Sequence, residues 1–346
     1  METQPVDPGR LPVAGALYGS AFGDALAGPT EFMSVDLITA RYGPDGPADL
    51  PGDPAQVTDD TQMALAVGEA LLAACADGPG GFTPELFEQE LRKTFVDWLY
   101  SPDNNRAPGN TCMRACRGLA EGYPWHRATI IESKGCGANM RVAPIALVPG
   151  LDGVQRSGAA QLQAGLTHGH PTGLAAAELT ALAVCFLAVG CEPGELVPQL
   201  REYGRSQRRV YHHAWLGELW RRAGAASPED FIEAGWVECD QALARVEDAL
   251  AHADRSQDPC LATGQGWIAE EALATGLYCF LLYPDDPVAA LRRAAVTSGD
   301  SDSIACLTGA FAGARHGLAA WPADWARRIE YRDRIQRLAD AWEGWL

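Results

Sequence analysis

Two short stretches place hard oxygen donors at the head of helical patterns. In Val57-Thr58-Asp59-Asp60-Thr61-Gln62-Met63 a hydroxyl and two carboxylates fall on consecutive residues, directly ahead of the apolar spacing Met63, Val67, Ala70 and Leu71. Thr58 or Asp59 as N-cap, with Asp60 against the helix dipole, would account for a plain helix start. Two adjacent aspartates exceed that need, and the set suits a divalent cation such as Mg²⁺ or Mn²⁺. The same chemistry returns in Ser298-Gly299-Asp300-Ser301-Asp302-Ser303-Ile304, with Leu307, Thr308 and Phe311 following at helical spacing. Read alone, this is an Asx-turn running into Asp302 or Ser303 as N-cap. An EF-hand is excluded, because Ile304 and Ala305 stand where that loop needs an oxygen ligand and a glycine. A third stretch, GDALAGPTEF from Gly23 to Phe32, supplies Glu31 and Asp24, which alone read as a loop acid and a polar helix end.

The elements that must carry these residues are helical. Thr83-Pro84, Ser227-Pro228 and Asp286-Pro287 each read as a cap followed by proline at the first helical position, and Phe87, Leu91, Phe95 and Trp98 then share one face. Thr172 to Val189 is almost wholly apolar, as in a helix buried on all sides. Strand alternation is hardly visible, and Gly/Pro/Asp-rich connections such as Tyr42 to Ala55 separate the periodic segments, so the chain is predicted to be all-α. Gly15, Gly19 and Gly23, four apart, put small residues on one helix face where another backbone can approach. The expected layout is a flexible start at 1–10 and one domain over 11–346.

Composition narrows the function. The 346 residues are 47% hydrophobic and 21% charged, enough apolar mass for a sizeable core and against disorder. With 27 Lys plus Arg against 45 Asp plus Glu, the formal net charge of -18 argues against nucleic acid or anionic lipid as a partner and leaves room for bound cations. The strongly apolar run Leu179 to Val189 is short of the roughly 20 residues that span a bilayer, so no membrane helix is expected. The first ten residues lack the basic-then-apolar pattern of a secretory signal, and the ten cysteines form no CxxC pair. Reduced core cysteines and a cytoplasmic location are expected.

In this order and at these separations, GDALAGPTEF, TDDTQM and SGDSDSIACLTGAFAGARHG resemble the ADP-ribosylglycohydrolase family. RAPGNT from Arg106, SKGCGANMRVAP from Ser133 and THGHP from Thr167 resemble further family blocks, so the likeness runs from about Leu11 to Trp325. The resemblance implies a single-domain orthogonal helical bundle with two metal ions, Mg²⁺ or in some members Mn²⁺. By position it implies Thr58, Asp59 and Asp60 as one ligand group and Asp300, Asp302 and Ser303 as the other, with Glu31 the mobile catalytic glutamate. Ser303 stands where many relatives have threonine and keeps the hydroxyl, while SKGCG replaces a more familiar GNG-type loop.

The implied activity is hydrolysis of the bond between ADP-ribose and an acceptor on a protein or small molecule, releasing ADP-ribose. Arginine-linked ADP-ribose is the first choice; serine-linked, O-acetyl and nucleobase-linked forms are alternatives. Glu31 with Asp59 or Asp60 would activate water and assist the leaving group. Backbone amides of Gly109-Asn110-Thr111 and Gly135-Cys136-Gly137-Ala138 would hold the diphosphate, with Arg141 a weaker candidate and His168 nearby. Trp125 or Trp267 would stack on adenine or pack in the core. A non-catalytic ADP-ribose binder and a two-metal phosphohydrolase are the competing classes. Five converging carboxylates would repel one another severely unless cations compensated them.

Overall fold

The computed structural model describes residues 11–344, so the expected loose segment 1–10 lies outside the described residues. Nineteen α-helices make up most of them, with isolated β-bridges and no strand among the described residues. The cap-plus-proline starts form as expected. Thr83 Oγ1 accepts from the Leu86 N–H at 3.3 Å ahead of Pro84–Leu99, Ser227 Oγ from Asp230 at 3.0 Å ahead of Pro228–Ala251, and Asp286 Oδ1 from Ala289 at 3.0 Å ahead of Pro287–Ala294. Proline costs nothing at the first position, because that N–H has no partner inside the helix.

Pro171–Ala188 is apolar on every side because it is packed on every side, against Gly153–Gly165, Pro228–Ala251, Ala269–Leu282 and Ser301–His316. By length and composition it could cross a membrane, yet 78% of it is buried inside the protein, which makes it a core helix. All ten cysteines are free.

The most extensive helix–helix contact joins Val13–Ala27 to Ser301–His316. Gly15, Gly19 and Gly23 meet Gly313, Gly309 and Ala305, and a Cβ at any of the three would strike a main-chain carbonyl of the other helix. The two backbones therefore touch directly, as the four-residue glycine spacing predicts. Shared hydrogen bonds of 2.9 Å between Ser20 Oγ and Cys306 Sγ, and between Thr30 Oγ1 and Ser301 Oγ, close the seam. This contact brings Asp24 and Glu31 against Asp300, Asp302 and Ser303 across the length of the chain.

Candidate active site

Thr58 caps Asp59–Ala74, its Oγ1 accepting from the Asp60 N–H at 3.3 Å, so both aspartates stand in the first turn. Facing them, Ser301–His316 begins two or three residues earlier than a cap at Asp302 or Ser303 would give: Asp300 occupies the cap position and makes no side-chain cap bond. Its carboxylate is engaged elsewhere, accepting from Cys136 Sγ–H at 2.8 Å. Asp302 accepts from the Ser303 N–H at 2.9 Å and from the Thr58 hydroxyl. Two helix N-termini thus bring their partial positive charge to the same place.

Glu31, Asp59, Asp60, Asp300, Asp302 and Ser303 line one cavity of about 340 Å³. Oxygens of Glu31, Asp300 and Asp302 lie within 4.8 Å of one another. Thr58 stands just behind this wall, tied to it through Asp60 and Asp302. Asp24 has a larger role than a polar helix end. Fully buried, its carboxylate accepts from the Thr58 N–H at 2.9 Å, the Thr61 N–H at 3.0 Å and the Thr61 hydroxyl at 2.5 Å, and so pins the head of Asp59–Ala74. The signal for it was an acid inside a run of glycine, alanine and other small residues, where burial obliges a carboxylate to find donors.

No lysine or arginine lines the cavity among the described residues. Burial first, and then the charge of Asp302, raise the proton affinity of Glu31 to about 9, Asp59 to about 8 and Asp24 to about 6, and push Asp60 and Asp300 upward as well. Burial also raises Asp302 itself. One oxygen, Asp60 Oδ2, is buried with no hydrogen-bond partner. An unpartnered carboxylate oxygen among like charges is what a divalent cation would satisfy.

The sign of the resulting pH dependence is fixed. These acids bind protons more tightly folded than unfolded, so without metal the chain is most stable near the ordinary carboxylate range. It loses stability as pH rises through the raised values of about 6, 8 and 9. Thermal unfolding in metal-free buffer should show a midpoint several degrees lower at pH about 9 than at about 6, with saturating Mg²⁺ removing most of that slope. A metal-free midpoint that climbs over this interval would contradict the clustering.

The opposite wall is glycine-rich. Gly109, Asn110 and Thr111 open Asn110–Ala120, and the Gly109 N–H donates to Asp59 Oδ2 at 3.3 Å. Just ahead, Ala107 holds a left-handed φ of 53°, kept there as Arg106 pairs with Glu330 and donates to the Val57 carbonyl at 2.8 Å. No sequence signal marked Glu330. Gly135, Cys136 and Gly137 also line the cavity, whereas Ala138 is buried beneath them with its carbonyl accepting from Gln163 Nε2 at 2.7 Å. A Cβ at Gly137 would stand 2.8 Å from His168 Cε1, so the loop lies directly on the imidazole. His168 is buried and shares a 2.8 Å bond between Nδ1 and Thr167 Oγ1; burial and then the Arg141 charge keep it neutral.

Arg141 lies outside the cavity. Fully buried, it donates to the Gln163 carbonyl at 2.6 Å, Gln163 Oε1 at 2.7 Å and Thr167 Oγ1 at 2.7 Å, and covers the Phe95 ring at 4.7 Å. It supports the floor under His168, held by neutral acceptors, and so does not reach the diphosphate for which it was the weaker candidate. Trp267 is not a core residue: 41% exposed, it stacks on the exposed Phe32 at the mouth, with ring centroids 6.1 Å apart and planes 17° apart. Its carbonyl accepts from the Cys136 N–H at 3.1 Å, which fixes it to the cavity rim. Trp125 packs against the core.

Residues 10–345 match the family model for ADP-ribosylglycohydrolase. The chain is 26% identical to the ADP-ribosyl-[dinitrogen reductase] glycohydrolase of Rhodospirillum rubrum, over 94% of each. It is 30% identical to ADP-ribosylhydrolase ARH3 of Bos taurus, over 94% of this chain and 91% of that one. A solved ADP-ribosylglycohydrolase-related protein complex shares the fold, with a TM-score of 0.64 and 24% identity, covering 96% of this chain and 97% of that one. With the match running through every segment that feeds the acidic cavity, the chain belongs to the ADP-ribosylglycohydrolase family.

Proposed function

We propose that the protein is a metal-dependent cytoplasmic hydrolase of the glycosidic bond between ADP-ribose and an acceptor, with arginine-linked mono-ADP-ribose on protein as its substrate. The observation that carries this reading is a cavity walled on one side by five carboxylates and on the other by glycine loops, with no basic side chain lining it among the described residues. The unpartnered Asp60 Oδ2 and the close oxygens of Glu31, Asp300 and Asp302 fit Mg²⁺ or Mn²⁺. Asp59, Asp60, Asp300 and Asp302, with the hydroxyls of Thr58 and Ser303, would hold two such ions. When bound, the ions supply Lewis acidity and offset the acidic charge.

The chain's own residues then have separable tasks. The backbone amides of Asn110 and Thr111 at the head of Asn110–Ala120, and that of Gly137, suit the diphosphate, because in so acidic a protein neutral donors select phosphate without a competing ion pair, while those of Gly109 and Cys136 already serve Asp59 and the Trp267 carbonyl. Neutral His168 offers one ring nitrogen to the ribose or diphosphate. Asp59 or Asp60, once its charge is offset by a cation, takes the proton of the attacking water as the anomeric carbon–nitrogen bond breaks, and Glu31, which is outside the proposed ligand set and whose burial beside Asp302 favours the protonated form, delivers one to the departing nitrogen. Protein-linked substrates are supported by the name of the Rhodospirillum rubrum relative.

The test is release of free ADP-ribose from ADP-ribosyl-arginine with and without Mg²⁺, alongside serine-linked and O-acetyl-ADP-ribose. Metal-dependent release from the arginine conjugate in preference to the others is the expected result. Calorimetric binding of ADP-ribose without release from any of them would make the protein a binder, and inorganic phosphate as product would make it a phosphohydrolase. Trp267→Ala, which removes an exposed aromatic face from the rim, should weaken ADP-ribose binding about tenfold by calorimetry while leaving the thermal midpoint nearly unchanged.

A further inference from the structure

A second cavity, of about 530 Å³, shares no lining residue with the acidic one and lies between Pro44-Asp45, Arg255-Ser256, Tyr283 and the helix Pro287–Ala294. Its charge is the reverse. Arg255, Arg292 and Arg293 line it against one carboxylate, Asp45, in a chain whose formal net charge is -18. Asp45 compensates little, being 79% exposed and 3.7 Å from Arg292. Neither Arg255 nor Arg293 has a carboxylate oxygen within 4.0 Å among the described residues. Arg293 is 91% buried by its 9% exposure and donates to the carbonyls of Arg255 and Val296, while its Nε has no partner. Arg255 donates to the Leu282 carbonyl at 2.6 Å and lies over the Tyr283 ring at 4.4 Å.

Carbonyl partners orient a guanidinium without cancelling its charge, and arginine cannot shed its proton. The cavity wall thus carries three positive charges, one buried on Arg293, one partly buried on Arg292 and one exposed on Arg255, against one solvated negative charge, a surplus of about two. That surplus and the forked donors match a phosphate dianion better than a single carboxylate. The volume lies in the range of small-molecule sites. We propose that this cavity binds a phosphate-bearing small molecule, with its phosphate on Arg255, Arg292 and Arg293, at a site separate from the acidic cavity.

Inorganic pyrophosphate titrated by calorimetry into the metal-free, full-length protein at low salt tests this, because without metal the acidic cavity repels anions. Saturable binding of one pyrophosphate per chain is expected. Arg292→Glu and Arg255→Ala should each weaken it at least tenfold, and Asp302→Asn should leave it within twofold. Thermal midpoints near that of the wild type show that the variants fold; if Arg292→Glu does not, Arg255→Ala decides. Absence of saturable binding, arginine variants that bind as the wild type does, or binding that strengthens or weakens more than twofold in Asp302→Asn would each overturn the proposal.

Discussion

Asp302→Asn should lower ADP-ribose release by roughly a hundred- to thousandfold or more, and in the same protein make the metal-free fold more stable at alkaline pH. Both effects follow from one position. After burial, the Asp302 charge is the largest cause of the raised proton affinities of Asp24, Glu31, Asp59, Asp60 and Asp300. Its neighbours are on three segments, so no single stretch of the chain can move away to relieve the repulsion. Removing the charge while keeping the shape, and the bond from the Ser303 N–H, relieves all five at once. The same change deprives the cations of a ligand, so Mg²⁺ should no longer raise the thermal midpoint as it does in the wild type. Such a site holds activity at the expense of stability. A variant that released ADP-ribose at the wild-type rate would remove Asp302 from the centre, and one whose metal-free midpoint at alkaline pH fell would refute the repulsion argument.

Gly23→Val should destabilise the fold by about 3 kcal/mol or more. A Cβ at Gly23 meets the carbonyl group of Ala305 and the amide nitrogen of Cys306, which are main-chain atoms within a helix. No rotamer change can give way, so the two helices must separate, and the packing on both sides is lost with them. Gly80→Ala is the matched control, since nothing lies within 4 Å of a Cβ there, and its stability should stay within about 0.5 kcal/mol of the wild type. Chemical denaturation measures both. Equal stability of Gly23→Val and the wild type would show that the backbone contact is not what holds Asp24 and Glu31 against Asp300 and Asp302.

Local chemistry carried much of this protein in its sequence. Cap residues followed by proline gave helix starts at Pro84, Pro228 and Pro287, because the groups they satisfy lie within three residues of one another. The surplus aspartates at Asp59-Asp60 and Asp300-Asp302 were visible as acids beyond what capping uses. The glycines at 15, 19 and 23 announced a close helix contact, since only missing side chains allow one.

What the sequence left open depended on partners distant along the chain. Asp24 looked like a helix end, and only the approach of Thr58 and Thr61 made it the anchor of the neighbouring helix. Ser301–His316 starts ahead of the caps the sequence offered, and its cap residue Asp300 makes no capping bond while Cys136, far upstream, engages that carboxylate. Arg141, a weaker diphosphate candidate, went into the floor, and Trp267, left open between core and ligand edge, stands on the rim, because burial is set by what packs on a residue rather than by its type. Residue spacing determined the helices and named the acids; the meeting of helix backbones over nearly the whole chain length decided that those acids share one pocket, since electrostatic coupling depends on distance in space.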